Sequence, residues 1–476
     1  MFDPTLIQPW TAAQAQAVTE EWTRCVRPDA PMYFVLDDDP TGGQTVHDVP
    51  VFTAWDEATL REAFLTGSRL VYLMTNSRSL SAQQTTALYE QLLTNLKTVS
   101  KELERPCRII SRGDSTLRGH YPLESNLIRR SMNEPVKELL IPAFPEGNRV
   151  TYHAVQYLLD EGKWIPCAQS DYAADKTFGY HSSALRLWVE EKTAGACRAK
   201  EVCSIPLELI RECAYDAIEQ LLTDGRYACY AVDALCYTDL KAFYVACARA
   251  EKKGVRFLAR TASAWPRVAG GIDAAPLLEP GKILDKTVRA GGLIIVGSHV
   301  NRTTRQLEAL IRGGKTEHVV FDQHRVLHEE ELEQEILRAS QCVSDALKQG
   351  KNVVLATRRE RLDLPDASAE QQLEITGRIS RAFTDCVRRI TVRPSFVITK
   401  GGITSSDIVT KALNTRRAMI LGQIYPGVPV WRLGAESRYP GMPVVIFPGN
   451  VGEDDALCQV SGQLCAAERS KTQEEA

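Results

Sequence analysis

The chain runs to 476 residues, more than one hydrophobic core organises, so two or three domains are expected. Hydrophobic residues at 44%, charged residues at 25% and a net charge of -3 describe an ordinary globular protein and exclude a nucleic-acid partner held by bulk charge. The opening residues MFDPTLIQPW lack a secretory pattern and no run reaches the ~18 apolar residues of a membrane span, so a cytoplasmic protein without a membrane partner is expected.

In chain order, MYFVLDD (32–38), LVYLMTN (70–76), CRIISRGD (107–114), KELLIPAF (137–144), YACYAVDA (227–234) and VRFLART (255–261) read as buried strands. Residues 81–104 and 206–223 carry apolar side chains at helical spacing and read as crossover helices. The stretch 264–283, AWPRVAGGIDAAPLLEPGKI, is rich in Pro, Gly and Ala and reads as linker. Beyond it, GGLIIVGS (291–298), EHVVFD (317–322), NVVLAT (352–357), SFVITKGG (395–402) and MPVVIFPGN (442–450) repeat a strand followed by a polar turn, and residues 465–476 read as frayed. The predicted fold class is α/β, with two α/β domains, largely parallel sheets and an active-site cleft between the domains. An N-terminal domain is expected over 1–265, a linker over 266–290 and a C-terminal domain over 291–476. The 13 cysteines include no C-x-x-C pair and read as reduced, inert thiols.

Open α/β sheets hold ligands beyond the carboxyl ends of their strands, so the polar residues at those ends are the candidate site. FVLDDDPTGG (34–43) places Asp37, Asp38 and Asp39 side by side before a glycine turn, where like charges repel unless a ligand or cations compensate them. Asp37-x-Asp39-x-Thr41 also has the form used by phosphatases that pass through an aspartyl-phosphate. TNSRS (75–79) offers Ser77 and Arg78; RGDSTLRGH (112–120) offers Arg112, Asp114, Ser115, Thr116 and Arg118. Arginine grips a carboxylate or phosphate bidentately, while hydroxyls and acids suit a polyol, so these three strand ends predict a pocket for an anionic polyol. His47, His120 and His153 are further proton-transfer candidates.

Three glycine turns mark the second domain: Gly297-Ser298 in VGSHVNRTTRQ, Gly401-Gly402 with Thr404 in TKGGITSSD, and Gly449-Asn450 with Gly452 in FPGNVGEDDAL. Backbone N–H groups at such turns suit phosphate, and neither a Walker nor a G-x-G-x-x-G pattern is present, so a nucleotide site of another type is expected.

These blocks, DDDPTG, Ser77-Arg78, RGDSTLRGH, RTAS (260–263), VGSHVNRTTRQ, KGGITSSD and PGNVGEDDAL, occur in the order seen in the four-carbon acid sugar kinase family, which the chain resembles over roughly residues 31–460. The resemblance implies an N-terminal domain that binds a small sugar acid and a C-terminal domain that binds ATP with Mg²⁺, transferring phosphate to a hydroxyl. It implies Asp38, Asp39 and Asp114 as catalytic candidates. Thr41, Gly42, Ser77, Arg78, Ser115, Thr116 and Arg118 would bind substrate. Ser298, Gly401, Gly402, Gly449 and Asn450 would bind ATP, and the reading of the glycine turns adds Gly297, Thr404 and Gly452 to that site. No residues are assigned to the metal, and a homodimer is the one protein assembly entertained. The chain departs from the family pattern at Asp37, an extra acid, at Pro40 where Leu is frequent, at Arg112 where Lys is usual, and at Ile403 where an acid is common. The competing readings are the aspartyl-phosphate phosphatase, with Lys400 and Asp454-Asp455 as later motifs, and a non-catalytic sugar-acid-binding protein.

Overall fold

The computed structural model describes residues 2–26, 31–132, 134–362, 364 and 369–474. Its strands in chain order are β1 (Met32–Asp37), β2 (Val49–Phe52), β3 (Leu70–Met74), β4 (Cys107–Arg112), β5 (Lys137–Ile141), β6 (Arg149–Tyr152), β7 (Val155–Asp160), β8 (Lys163–Pro166) and β9 (Val202–Ile205). They continue as β10 (Cys229–Val232), β11 (Phe257–Thr261), β12 (Leu293–Val296), β13 (Glu317–Phe321), β14 (Val353–Thr357), β15 (Val397–Lys400), β16 (Arg417–Tyr425), β17 (Val428–Leu433) and β18 (Pro443–Phe447). The chain folds into two units, one of Met1–Thr45 with Ala54–Ala274, the other of Val46–Thr53 with Ala275–Ala476. Residues 46–53 thus leave the first unit and lend β2 to the second, antiparallel to β16.

The first unit is built on strands ordered β3-β1-β4-β11-β5-β10-β9, every neighbouring pair parallel. Every residue of β1 is buried, as required of a parallel strand covered by helices on both faces. The helix Ala82–Glu102 starts at a Ser81/Gln84 capping box and buries Tyr89, Leu92, Leu93, Leu96 and Val99 on one face. A separate antiparallel sheet, β6-β7-β8, completes the unit. The single helix expected over 206–223 is two, Leu207–Arg211 and Tyr215–Thr223. Cys213 between them adopts a left-handed φ of 52°, and because Ile210 and Ile218 are buried on either side the apolar spacing runs on through the break.

In the second unit β13-β14-β12-β15-β18 are parallel and β18-β17-β16-β2 antiparallel. Its core gathers Ile294, Val296, Ile398, Val445 and Phe447 from the strands, and Phe396 just before β15, with Leu307, Leu310, Leu457 and Val460 from the helices Asn301–Arg312 and Ala456–Glu474. That last helix runs through most of the residues expected to fray. The stretch expected as linker contains helices at Ala264–Gly270 and Pro280–Ile283, and the division between units falls after Ala274. Among the described residues no disulfide forms and no helix is long and apolar enough to cross a membrane.

Candidate active site

Strand register sets the site of the first unit. Asp37, the last residue of β1, stands opposite Met74 of β3 on one side and Arg112 of β4 on the other, and Arg112 stands opposite Thr261 of β11. Four neighbouring strands therefore end level, and the residues that follow them meet. Arg78, just past β3, is ion-paired to Asp39 at 3.0 Å, Asp38 at 3.1 Å and Asp114 at 3.5 Å. Arg118 donates from Nε to Asp114 at 2.7 Å and lies 4.9 Å over the Tyr172 ring.

The cluster has a buried floor and a half-open rim. Asp37, Asp38 and Arg112 form the floor with side chains 4%, 1% and 4% exposed, while Asp39, Arg78 and Arg118 on the rim are 17–20% exposed. Arg112 donates from Nη1 to Asp37 at 3.0 Å and Asp38 at 3.3 Å, and from Nη2 to Ser263 Oγ at 3.1 Å. Two of the departures from the family pattern, the extra Asp37 and Arg112 in place of Lys, are thus the two halves of one buried ion pair. Next to it Arg260 donates to Glu124 Oε2 at 3.1 Å, and Glu124 Oε1 accepts from Ser77 Oγ at 2.5 Å.

The environments separate the acids. Burial, against the pull of Arg112, raises the pKa of Asp37 to about 7. Burial likewise raises that of Asp38, whose Oδ2 has no hydrogen-bond partner among the described residues. For Asp39 burial is outweighed by Arg78 and Arg112 and by bonds from Thr41, so it stays below the ordinary carboxylate range. Asp114 is likewise desolvated, but Arg118 and Arg78 hold it well below that range. Burial opposes the charge on Arg78, yet the carboxylates, Asp38 foremost, raise its pKa.

Three glycines exist here because side chains would collide with the charged groups. A Cβ on Gly42 would lie 1.9 Å from Asp37 Oδ2, and one on Gly113 would lie 2.2 Å from the Arg260 guanidinium. At Gly119, φ is +119° and a Cβ would stand 3.2 Å from Asp38 Oδ2. Several expected ligands turn inward. Ser77 and Thr116 are fully buried and spend their hydroxyls on Glu124 and Asp114, while Thr41 gives its N–H and hydroxyl to Asp39 at 2.7 and 2.5 Å. Ser115 is buried too, with its carbonyl accepting from Gln156. Of the histidines, His120 bonds the Leu80 carbonyl at 2.9 Å and His153 takes a left-handed turn fixed by Asp233, so both have backbone roles. Ser263 closes the RTAS block (260–263) and Glu124 lies four residues past RGDSTLRGH, but the sequence singles out neither as a site residue.

The second unit repeats the strand-end geometry. Val296 of β12 stands opposite Lys400 of β15, which stands opposite Phe447 of β18, so the turns at 297–298, 401–402 and 448–450 emerge side by side. They touch closely enough to require glycine. A Cβ on Gly297 would meet Thr404 Oγ1 at 2.6 Å; one on Gly401, where φ is +108°, would meet Ser298 Cβ at 2.7 Å. Gly402 opens the helix Gly402–Asp407 directly after that turn. Gly449 lies 3.6 Å from Ser298 Oγ by the same measure, and its carbonyl accepts from Thr303. The carbonyls of Asn450 and Gly452 accept from Arg302 at 3.3 and 3.4 Å, so these two belong to the adjoining loop. Ile403 is 59% exposed beside the turn. Among the described residues no group of three His, Cys, Asp or Glu side chains is arranged to hold a metal, because the clustered acids of the first unit already face guanidinium groups.

Comparison with known proteins agrees with this division. The family model described as sugar-binding N-terminal domain matches residues 33–267, and that described as nucleotide-binding C-terminal domain matches residues 293–457. A Salmonella typhimurium LT2 protein named as a tRNA synthase superposes with a TM-score of 0.63 at 17% identity, over 90% of this chain and 98% of its own. Haemophilus influenzae protein HI1011 superposes with a TM-score of 0.59 at 18% identity, over 90% of this chain and 100% of its own. At such identity the likeness shows the fold alone, so the synthase name says nothing of activity here. No curated protein matches the sequence. A sugar-binding domain model over residues 33–267 followed by a nucleotide-binding domain model over 293–457 settles the family: the chain belongs to the four-carbon acid sugar kinase family.

Proposed function

We propose that the protein is an ATP-dependent kinase that phosphorylates a hydroxyl of a small sugar acid, an aldonate, keto-aldonate or related hydroxy acid. The observation that carries this reading is Arg78, a single guanidinium held by three carboxylates on the rim of the sugar-binding unit. Arginines fixed in this way offer their remaining donors to a substrate carboxylate, while the neighbouring acids accept from its hydroxyls. Arg78 and Arg118 hold the acid; Asp39 orients the acceptor hydroxyl. Asp39 suits that task because it is ionised and faces the open side, and in a loose phosphoryl-transfer transition state positioning matters more than base strength. Asp38 and Asp114 keep the arginines in place.

ATP enters through the glycine turns of the second unit, where Ser298, Gly401, Gly402 and Gly449 offer backbone and hydroxyl groups to its phosphates. Mg²⁺ accompanies the nucleotide as its counter-ion. The described side chains supply no three-ligand set for it, and no step is assigned to a protein-held metal. The aspartyl-phosphate alternative fails on its nucleophile: Asp37 is 3% exposed, lies under Gly42 and is ion-paired to Arg112.

The test is ADP formation across a panel of aldonic, keto-aldonic and hydroxy acids, followed by Asp39→Asn with the best substrate. We expect kcat of the variant to fall at least about a hundredfold, roughly 3 kcal/mol of barrier. Turnover within about threefold of wild type would remove Asp39 from the chemistry. ADP formation with no member of the panel would remove the kinase reading.

A further inference from the structure

The nucleotide-binding unit contains a cation with too few partners. Arg359 lies two residues past the end of β14. Its Nη2 donates to the carbonyl of Ser298 at 2.6 Å and to Thr304 Oγ1 at 2.8 Å, which ties it to the glycine turn after β12. Its Nε and Nη1 are buried and bond nothing among the described residues. The contrast with its neighbour is direct: Arg358 pairs with Asp322 and Glu360, both at 3.3 Å. Burial accordingly lowers the Arg359 pKa, with Glu308 too weak to compensate.

A second cation stands in the same plight. Lys400 is fully buried, its Nζ donates to the Pro448 carbonyl at 2.5 Å and sits 4.1 Å over the Phe447 ring. Burial, with the Arg302 charge adding to it, lowers its pKa well below the ordinary lysine value. β14 and β15 flank β12, so the two cations arise on either side of the Gly297-Ser298 turn. Desolvated positive charge without a counter-charge is unfavourable unless an anion completes it. Asp454 pairs with Arg305 at 2.9 Å and answers neither cation, so an anionic ligand is the partner that fits.

We propose that Arg359 is a binding residue for the nucleotide's polyphosphate tail, giving it the donors on Nε and Nη1, so that this unit selects its ligand by phosphate charge. The proposal rests on the ATP reading above and adds to it a residue outside the glycine turns.

The experiment is calorimetric titration of the full-length protein, without sugar acid, with ATP, AMP and inorganic tripolyphosphate, for wild type, Arg359→Gln and Arg359→Lys. Loss of charge-assisted hydrogen bonds should weaken ATP and tripolyphosphate binding about tenfold or more in Arg359→Gln, and AMP binding by less than about twofold. Arg359→Lys, which keeps the charge without the fork, should fall between. If ATP and tripolyphosphate affinities in Arg359→Gln stay within about twofold of wild type, the proposal is overturned, and the kinase reading stands wherever turnover persists. Tripolyphosphate binding that depends on Arg359, in a protein that phosphorylates no sugar acid, would sink the kinase reading and leave this one intact. Should the Gln variant not fold, the Lys variant decides: an unchanged ratio of ATP to AMP affinity overturns the proposal.

Discussion

Substituting Asp37 by Asn tests whether the extra acid of the DDD run is an ion held at energetic cost. Its pKa rises from 3.8 to about 7 in the fold, chiefly because its carboxylate is buried. A folded pKa above the unfolded one means that the fold prefers the protonated form. Stability from this group is then present at low pH and declines as pH climbs from about 4 to about 7. At about 1.4 kcal/mol per tenfold, integrating between pH 5 and pH 8 gives a loss of about 2–3 kcal/mol in wild type that an Asn variant does not suffer. Asn keeps the shape and can still accept from Arg112, so Gly42 is not crowded further. The assay is thermal unfolding of both proteins at pH 5, 6, 7 and 8, following the transition of the first unit. The Asn variant should gain on wild type by about 5–10 °C from the lowest to the highest pH. Asp39 and Asp114, whose pKa values are held down, lose their contribution only as pH falls below about 4, outside this window. A difference between the two proteins that does not change from pH 5 to 8 would refute the assignment of a near-neutral pKa to Asp37.

The other perturbations separate the two units. Arg78→Lys keeps a positive charge but cannot reach Asp38, Asp39 and Asp114 together, so kcat/KM for the sugar acid should drop by about 1.5–3 kcal/mol, tenfold or more, with nucleotide affinity unchanged in titration. Gly401→Ala puts a Cβ 2.7 Å from Ser298 Cβ at a φ of +108° and should weaken ATP binding while sparing sugar-acid binding. Gly441→Ala, at a φ of +72° with nothing within 4 Å, is the control: it strains the backbone and should leave ATP affinity unchanged.

Much of the architecture was legible because buried parallel strands leave an unambiguous trace. Met32–Asp37 is apolar until it reaches the acids, and its neighbours Leu70–Met74 and Cys107–Arg112 repeat the pattern. The antiparallel part was not legible. Residues 417–425 alternate in burial, but Met419 and Leu421 on the less buried face hide the alternation, and the Pro426-Gly427 turn reads as loop. Val49–Phe52 contains Pro50 and pairs with Arg417–Ile420, from Phe52↔Arg417 to Val49↔Ile420, more than 360 positions along the chain, so no local signal marks it. Arg359 carried a usable signal, since it follows a strand end as Arg78 does, but in TRRER (357–361) it is one of three arginines and has no glycine beside it to single it out.

By itself the sequence determined where the chemistry stands: strand ends rich in acid and arginine in the first half, strand ends rich in glycine in the second, and an order of motifs that one family shares. The tertiary structure alone decided which charge answers which. Pairing Asp37 with Arg112 required β4 to lie beside β1, and drawing Glu124 and Ser263 to the same floor required β11 to follow β4. Strand order is a long-range property, set by how helices pack across the sheet, and residues 75 positions apart become neighbours without local trace. The same packing sets burial, and burial is what lifts Asp37 to a pKa of about 7 while Asp39, two residues on, stays ionised on the rim.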